Sequence, residues 1–321
     1  MQENRFNKRI KITSEILSKI AWIDEFKGLW KGSLDLNPVI LKRLRSTVVI
    51  TSAGASTRIE GAKMSDEEVA RLLRGLKSTP PKDRDEQEVA GYADLIGRIF
   101  EHFADLKLTE NNILHFHGIL LNYSAKDNSY LVKPEMEAAI SWASAALDSR
   151  ELHPILVIAD FIFEFLAIHP FNDGNGRLSR ALTNLLLLRA GYAYIPYVSL
   201  DELIEDTKVG YYMALHKAQN GHKTDHEDVT PWVDYLLDSL IVHADRARAL
   251  MLGNQPEKLL AESQEKILGL FGASGSLNIS EIVGKLGDAP RDSVKKNLAR
   301  LVELRLLELI GRGRGARYVR I

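Results

Sequence analysis

The stretch His169-Pro170-Phe171-Asn172-Asp173-Gly174-Asn175-Gly176-Arg177-Leu178-Ser179-Arg180 decides how this chain is read. An almost wholly apolar run, Pro154–Ile168, leads into it, and a helical run, Gly174–Arg189, carries the chain away. The segment therefore links two rods, the first of them buried. Glycines at the mouth of the second rod let backbone N–H groups converge with the helix dipole on an anion. Asp173 supplies a hard oxygen ligand suited to Mg²⁺ on a phosphate. Arg177 and Arg180, three apart, project from one side of the first helical turns and form a polyphosphate clamp. His169, just before the loop, is placed to accept a proton from an attacking hydroxyl. Together they read as a nucleotide-phosphate site with a metal and a base. The plain alternative is a capped helix with a core histidine and two surface arginines.

Working outward, helix-period patterns dominate. They predict helices over Lys8–Trp30, Pro38–Ile50, Ser65–Leu76, Glu86–Phe103, Thr109–Leu121, Glu135–Leu147, Pro154–Ile168, Gly174–Arg189, Ser199–Ala218 and Thr230–Leu252. Pro and Gly punctuate them at Pro80-Pro81, Pro154, Gly191 and Gly253. A linker is expected at Gly253-Asn254-Gln255-Pro256, and the character changes beyond it. Residues 257–321 carry twelve Lys/Arg against eight Asp/Glu, a net of +4. They predict helices at Leu259–Phe271, Asn278–Leu286 and Ala289–Leu304, then a hairpin of Leu306–Ile310 and Ala316–Ile321. That order is a winged helix-turn-helix. The expected organisation is an N-terminal helical region over 1–85, a catalytic core over 86–252 and the winged module over 257–321.

Composition bounds the rest. Hydrophobic residues make up 45% and charged residues 26% of the 321, values of a soluble globular chain with a sizeable core. The net charge of −1 excludes no class of partner, and the absence of cysteine excludes disulfides and thiolate zinc sites. The first ten residues have no apolar signal core, and the most apolar stretch is too short to span a bilayer. A soluble, cytoplasmic protein is expected, with no membrane partner.

The motif His-x-Phe-x-Asp/Glu-Gly-Asn-Gly-Arg-x-x-Arg is the Fic motif, and His169–Arg180 resembles it at every defined position. The resemblance runs from about Ile113 to about Leu240. It implies a mainly α fold, a Fic-type helical bundle with a small β-hairpin flap, and transfer of AMP from ATP to a Ser, Thr or Tyr hydroxyl of a target protein and of the chain itself. By position it makes His169 the catalytic base and Asp173 the holder of Mg²⁺. Gly174, Asn175 and Gly176 would cradle the α- and β-phosphates, Arg177 would stabilise the leaving pyrophosphate, and Arg180 would hold the γ-phosphate. Relatives that transfer UMP, phosphocholine or phosphate, or remove AMP, keep the transferred group open.

Upstream, Ser56-Thr57-Arg58-Ile59-Glu60-Gly61 resembles the Ser/Thr-x-x-x-Glu-Gly/Asn motif that restrains many Fic proteins. Ser56 and Glu60 are i, i+4 neighbours on a helix. The resemblance implies that Glu60 pairs with Arg180 and displaces the γ-phosphate, so that the enzyme holds itself back. The family's flap falls here on Asn122–Pro134, where Tyr130, Leu131 and Val132 are the strand candidates for pairing with a target segment.

Other signals keep two readings each. Tyr211 and Tyr212 are either an adenine pocket or core aromatics. His222 and His226, four apart and followed by Glu227, are either a zinc grip or, as the polar surroundings favour, a solvated loop. Arg291, Lys295, Lys296 and Arg300 on the recognition helix, with Arg312, Arg314 and Arg317 on the wing, suit duplex DNA, but winged helices also dock proteins. The expected partners are thus a target protein with an acceptor hydroxyl and either DNA or protein at the C-terminal module, with a homodimer left open. The competing reading of the whole is a DNA-binding transcriptional regulator whose core senses nucleotide. A sensor has no need of a base at His169.

Overall fold

The computed structural model describes residues 5–32, 38–76, 78–124, 134–252, 262–271, 276–287, 289–303, 306–311 and 316–320. They form a mainly α protein with one small sheet. The chain divides into two compact units, residues 1–34 with 44–248 and residues 35–43 with 249–321.

At the centre of the first unit, α7 (Pro154–Ile168) packs on α6 (Pro134–Ser149) and on α8 (Asn175–Arg189). α7 begins where the sequence says it should: His153 caps it, its Nδ1 accepting from the Ile155 amide, and Pro154 sits in the first turn, where a missing N–H costs nothing. Residues 155–165 of α7 are all buried, as are most of α8, so both are core rods rather than surface helices. α4 (Arg84–His102) and α5 (Glu110–Leu120) pack on each other and on α8. α3 (Asp66–Gly75) precedes them behind a Ser65/Glu68 capping box.

Three of the expected helices depart from their bounds by more than three residues or break. α1 spans Ser14–Gly32, not Lys8–Trp30: residues 8–11 are instead tied down by bonds from the Val229 amide to the Arg9 carbonyl and from the Lys11 amide to Thr230 Oγ1. α2 runs Pro38–Ile59, nine residues past the expected end. The small residues Ser52–Thr57 are buried and join the two expected helical segments into one, with Thr57 Oγ1 bonding back to the carbonyls of Ala53 (2.8 Å) and Gly54 (3.0 Å). Packing overrides weak propensity there. The single helix expected over Ser199–Ala218 is two, α9 (Leu200–Asp206) and α10 (Lys208–Gln219), broken at Thr207. α11 (Thr230–Leu252) matches its expected bounds.

In the second unit, α12 (Glu262–Gly269), α13 (Ile279–Lys285) and α14 (Arg291–Glu303) precede a hairpin of β2 (Leu307–Ile310) and β3 (Arg317–Arg320). An unexpected strand, β1 (Ser276–Leu277), completes an antiparallel sheet of order β1-β3-β2. Two residues are too few for an alternating pattern to register. Ile267, Ile282, Val294, Leu298, Leu301 and Leu307 form its core. The flap candidates Tyr130, Leu131 and Val132, the linker 253–256, and Arg312 and Arg314 lie outside the described residues.

Candidate functional site

The loop from α7 to α8 begins with a change of backbone hand. His169 ends α7 in the left-handed region (φ 54°), its N–H still bonded to the Phe165 carbonyl, and its side chain is exposed. A non-glycine residue with positive φ is uncommon, though His tolerates it better than most. Asn175 then locks the loop. Its Nδ2 donates to the Phe171 carbonyl (2.6 Å) and its Oδ1 accepts from the Phe171 amide (3.1 Å). The Asn175 side chain is thus spent on the loop, and only its backbone N–H is left for a phosphate.

Gly174 caps α8 with φ 84° and offers no side chain to the first turn. The N–H groups of Asn175, Gly176 and Arg177 therefore open the helix without intrahelical partners, an anion site by construction. A carboxylate already stands there. A Cβ on Gly176 would fall 2.2 Å from Glu60 Oε1, so only glycine leaves room for the acid against the helix mouth.

Arg180 is 2% exposed, with its Nε and Nη2 engaged and its Nη1 buried without a hydrogen-bond partner among the described residues. Its Nε donates to Ser56 Oγ (2.8 Å), and its Nη2 donates to the Ser56 carbonyl (2.8 Å) and to Glu60 Oε1 (2.8 Å). Behind it Asp201 Oδ1 lies 3.7 Å from Nε and accepts from the Tyr92 hydroxyl (2.7 Å). Burial works against the Arg180 charge, but Glu60 and the other groups around it hold its pKa above the usual value. Burial also raises the Asp201 carboxyl, and Arg180 only partly offsets it. The structure thus brings together Ser56, Glu60, Gly176 and Arg180, residues up to 124 apart in sequence.

Arg177 is 1% exposed. Its Nη2 donates to Asp173 Oδ1 (3.2 Å), and its Nη1 lies 3.3 Å from Glu88 Oε2. Glu88 also accepts from Arg84 Nε (2.7 Å). Asp173 Oδ1 accepts from the Gly174 amide as well (2.8 Å), and its side chain keeps 31% exposure. One half-exposed carboxylate beside an N–H cradle fits Mg²⁺, which binds through one or two carboxylates plus substrate phosphates.

Glu88, Tyr92 and Asp201 escaped the sequence reading, and His117 was given no role by it. Asp201 looks like an acidic first-turn residue of α9, and Tyr92 and His117 look like ordinary core positions. Only the contacts with Arg177, Arg180 and Phe171 single them out.

The aromatic pair separates. Tyr211 is buried among Trp232, Tyr235 and Tyr212 rings at 5.2–5.9 Å, and burial pushes its hydroxyl up to about 12. Tyr212 is 45% exposed, and partial burial, with the Glu60 charge second, raises its hydroxyl. His222 is not solvated, which corrects the sequence reading. Its Nε2 lies 3.1 Å from Glu164 and 3.6 Å from Glu227, beside Arg5 and Arg9. Glu164, His222 and Glu227 could together hold a metal, but the Arg9 Nη1 already reaches both acids (2.6 and 2.9 Å) and takes its place. His226 is exposed and takes no part.

In the second unit Arg291, Lys295 and Lys296 are exposed on α14 and Arg300 is half-buried, opposite the apolar Val294, Leu298 and Leu301. Arg317 is engaged within the unit by Ser276 and Glu281. No described helix is long and apolar enough to cross a membrane.

Residues 92–187 match the Fic/DOC family. A protein named "Protein adenylyltransferase Fic" from Aedes aegypti is 28% identical over 236 residues, 67% of this chain and 45% of that protein. A protein of the same name from Drosophila grimshawi is 39% identical over 90 residues, 28% of this chain and 16% of that one. The chain thus matches less than half the length of these relatives. Among solved structures, a Fic family protein from Desulfovibrio desulfuricans G20 aligns over 97% of both chains with a TM-score of 0.62 and 25% identity. Fic-1 (residues 134–508) from C. elegans aligns over 73% of this chain and 70% of that one, TM-score 0.58 at 22% identity, a likeness of fold.

Proposed function

We propose that this chain, a Fic-family protein, moves AMP from ATP to a Ser, Thr or Tyr hydroxyl of a target protein and of itself, and that Glu60 holds it back. The observation that carries the reading is the Glu60 carboxylate seated on Gly176 and bonded to Arg180. A carboxylate held between a helix N-terminus and a buried guanidinium marks the place of a phosphate, and while it stays the γ-phosphate is shut out.

When Glu60 leaves, the first-turn amides of α8 and Arg180 receive the triphosphate tail. Asp173 would hold the Mg²⁺, whose chemistry is to neutralise the phosphate oxygens. His169 takes the proton of the acceptor hydroxyl as its oxygen attacks the α-phosphorus. The bond to the bridging oxygen breaks and pyrophosphate leaves, its charge met by Arg177. Most of the catalysis is orientation and fixed positive charge. Tyr212 is the aromatic left available to the adenine, and Tyr211 supports it from the core. The winged module would meet duplex DNA through Arg291, Lys295 and Lys296, or dock a protein there. Salt-dependent retention of the full chain on duplex DNA separates the two. A base at an exposed His169 favours the enzyme over a nucleotide-sensing regulator.

Intact-mass spectrometry tests the proposal. Glu60→Gly protein incubated with ATP and Mg²⁺ gains the mass of AMP on itself or on an added lysate protein, and Glu60→Gly/His169→Ala does not. Adduct on the double variant removes His169 from the mechanism, and adduct on neither removes the activity.

A further inference from the structure

The buried imidazole of His117 touches the phosphate loop at two points, Phe171 and Asp173. His117 sits near the end of α5 and is 2% exposed. Its ring stacks almost parallel on Phe171, with centroids 3.7 Å apart and planes 16° apart. Its Nε2 lies 2.9 Å from the Asp173 carbonyl oxygen. A carbonyl only accepts, so Nε2 carries the proton and donates. The same nitrogen stands 3.5 Å from where a Cβ on Gly174 would be.

The bond to Asp173 falls on a particular peptide. The Asp173 carbonyl and the Gly174 N–H belong to one rigid plane and point in opposite directions. Fixing the carbonyl on His117 therefore aims the Gly174 N–H, and that N–H is what Asp173 Oδ1 accepts at 2.8 Å. Turning this peptide over would break both bonds and remove the positive φ from which α8 starts. The chain of contact runs from the imidazole through a peptide plane to the carboxylate.

We infer that His117 is a positioning residue for the metal-binding carboxylate: it fixes the 173–174 peptide, and through it the orientation of Asp173 that admits Mg²⁺ with the nucleotide. This rests on the reading of Asp173 given above. His117 touches no reacting atom. Its effect falls on the magnesium requirement rather than on the base. Partners of this outer kind typically change metal affinity by about 10- to 100-fold when removed.

The test uses the full chain with Glu60→Gly, so that the brake does not mask binding. His117→Phe keeps an aromatic face for Phe171 and drops the donor; His117→Gln keeps an N–H donor and drops the ring. ATP affinity is measured by calorimetry in EDTA and across a Mg²⁺ titration. His117→Phe should raise the Mg²⁺ concentration for half-maximal affinity about 10-fold with metal-free affinity unchanged, and His117→Gln should recover most of the loss. An unchanged Mg²⁺ midpoint in folded His117→Phe, or equal impairment of both variants, overturns the inference in favour of packing alone. If the Glu60→Gly parent shows no magnesium-dependent affinity, the reading of Asp173 has failed instead. Hydrogen exchange at the Gly174 amide without metal then decides His117. Faster exchange in His117→Phe upholds the fixed peptide, and unchanged exchange removes it.

Discussion

Replacing Glu60 by glycine releases a defined set of contacts. The carboxylate gives up one charge-assisted bond to Arg180 Nη2 and its seat against Gly176, while Arg180 keeps Ser56 Oγ, the Ser56 carbonyl and Asp201 as guides. A hydrogen bond to a buried charged group contributes about 2 kcal/mol. ATP must displace that bond in the parent and finds it already absent in the variant. At about 1.4 kcal/mol per factor of ten, the gain in affinity is roughly 30-fold. Calorimetry with Mg²⁺ and ATP measures it directly. Because the γ-phosphate is what Glu60 displaces, ADP should gain less than ATP, and Glu60→Gln, which keeps the shape and loses the charge, should fall between. Equal affinities for ATP in parent and variant would refute the reasoning, since the pair would then cost the nucleotide nothing.

Other outcomes follow from single contacts. Gly176→Ala in the Glu60→Gly background places a methyl in the cradle, 3.3 Å from Arg180 Nη1, and should cut ATP affinity by about 10-fold, an overpacking cost of roughly 1–2 kcal/mol; unchanged calorimetry would argue against phosphate there. Arg58 ties the end of α2 down through Glu205 (2.7 and 2.9 Å), Asp66 (2.9 Å) and the Met64 carbonyl. Arg58→Gln should therefore loosen the brake and raise ATP affinity several-fold, about 1 kcal/mol, with Glu60 present and not in Glu60→Gly. An equal effect in both backgrounds would detach Arg58 from the brake. His243 is wholly buried, with Nε2 donating to the Val198 carbonyl (3.0 Å), and burial lowers its pKa to about 4 from 6.5. A folded pKa below the unfolded one gives stability that is present above pH 6.5 and lost as pH falls toward 4, about 3 kcal/mol in all. His243→Gln should flatten the melting temperature over that window relative to the parent; parallel curves would contradict it.

What the sequence made legible was whatever local chemistry alone dictates. α7 could be bounded to the residue because Pro154 and an almost wholly apolar run leave no other reading. The motif residues could be named because glycines, acid, base and guanidinium groups crowd one short loop. The continuity of α2 was not legible: Pro38–Ile50 and the segment of Ser56 and Glu60 read as separate helical pieces, and burial of the small residues between them makes them one. The supporting groups were hidden for the same reason. Glu88, His117 and Asp201 acquire meaning from residues 89, 56 and 21 positions away, and their own neighbourhoods carry no signal. The His222 loop looked polar and solvated because Glu164, which faces His222, and Arg9, which pairs with Glu164 and Glu227, lie 58 and 213 positions away in sequence.

The most direct test of the central claim follows two labels through one reaction. Glu60→Gly protein is incubated with Mg²⁺ and ATP labelled on either the α- or the γ-phosphorus, and label retained by protein is counted. Transfer of AMP requires that the α-label stays on protein and the γ-label departs with pyrophosphate. Retention of the γ-label would mean phosphate transfer, and retention of neither would mean that the pocket does not perform this chemistry.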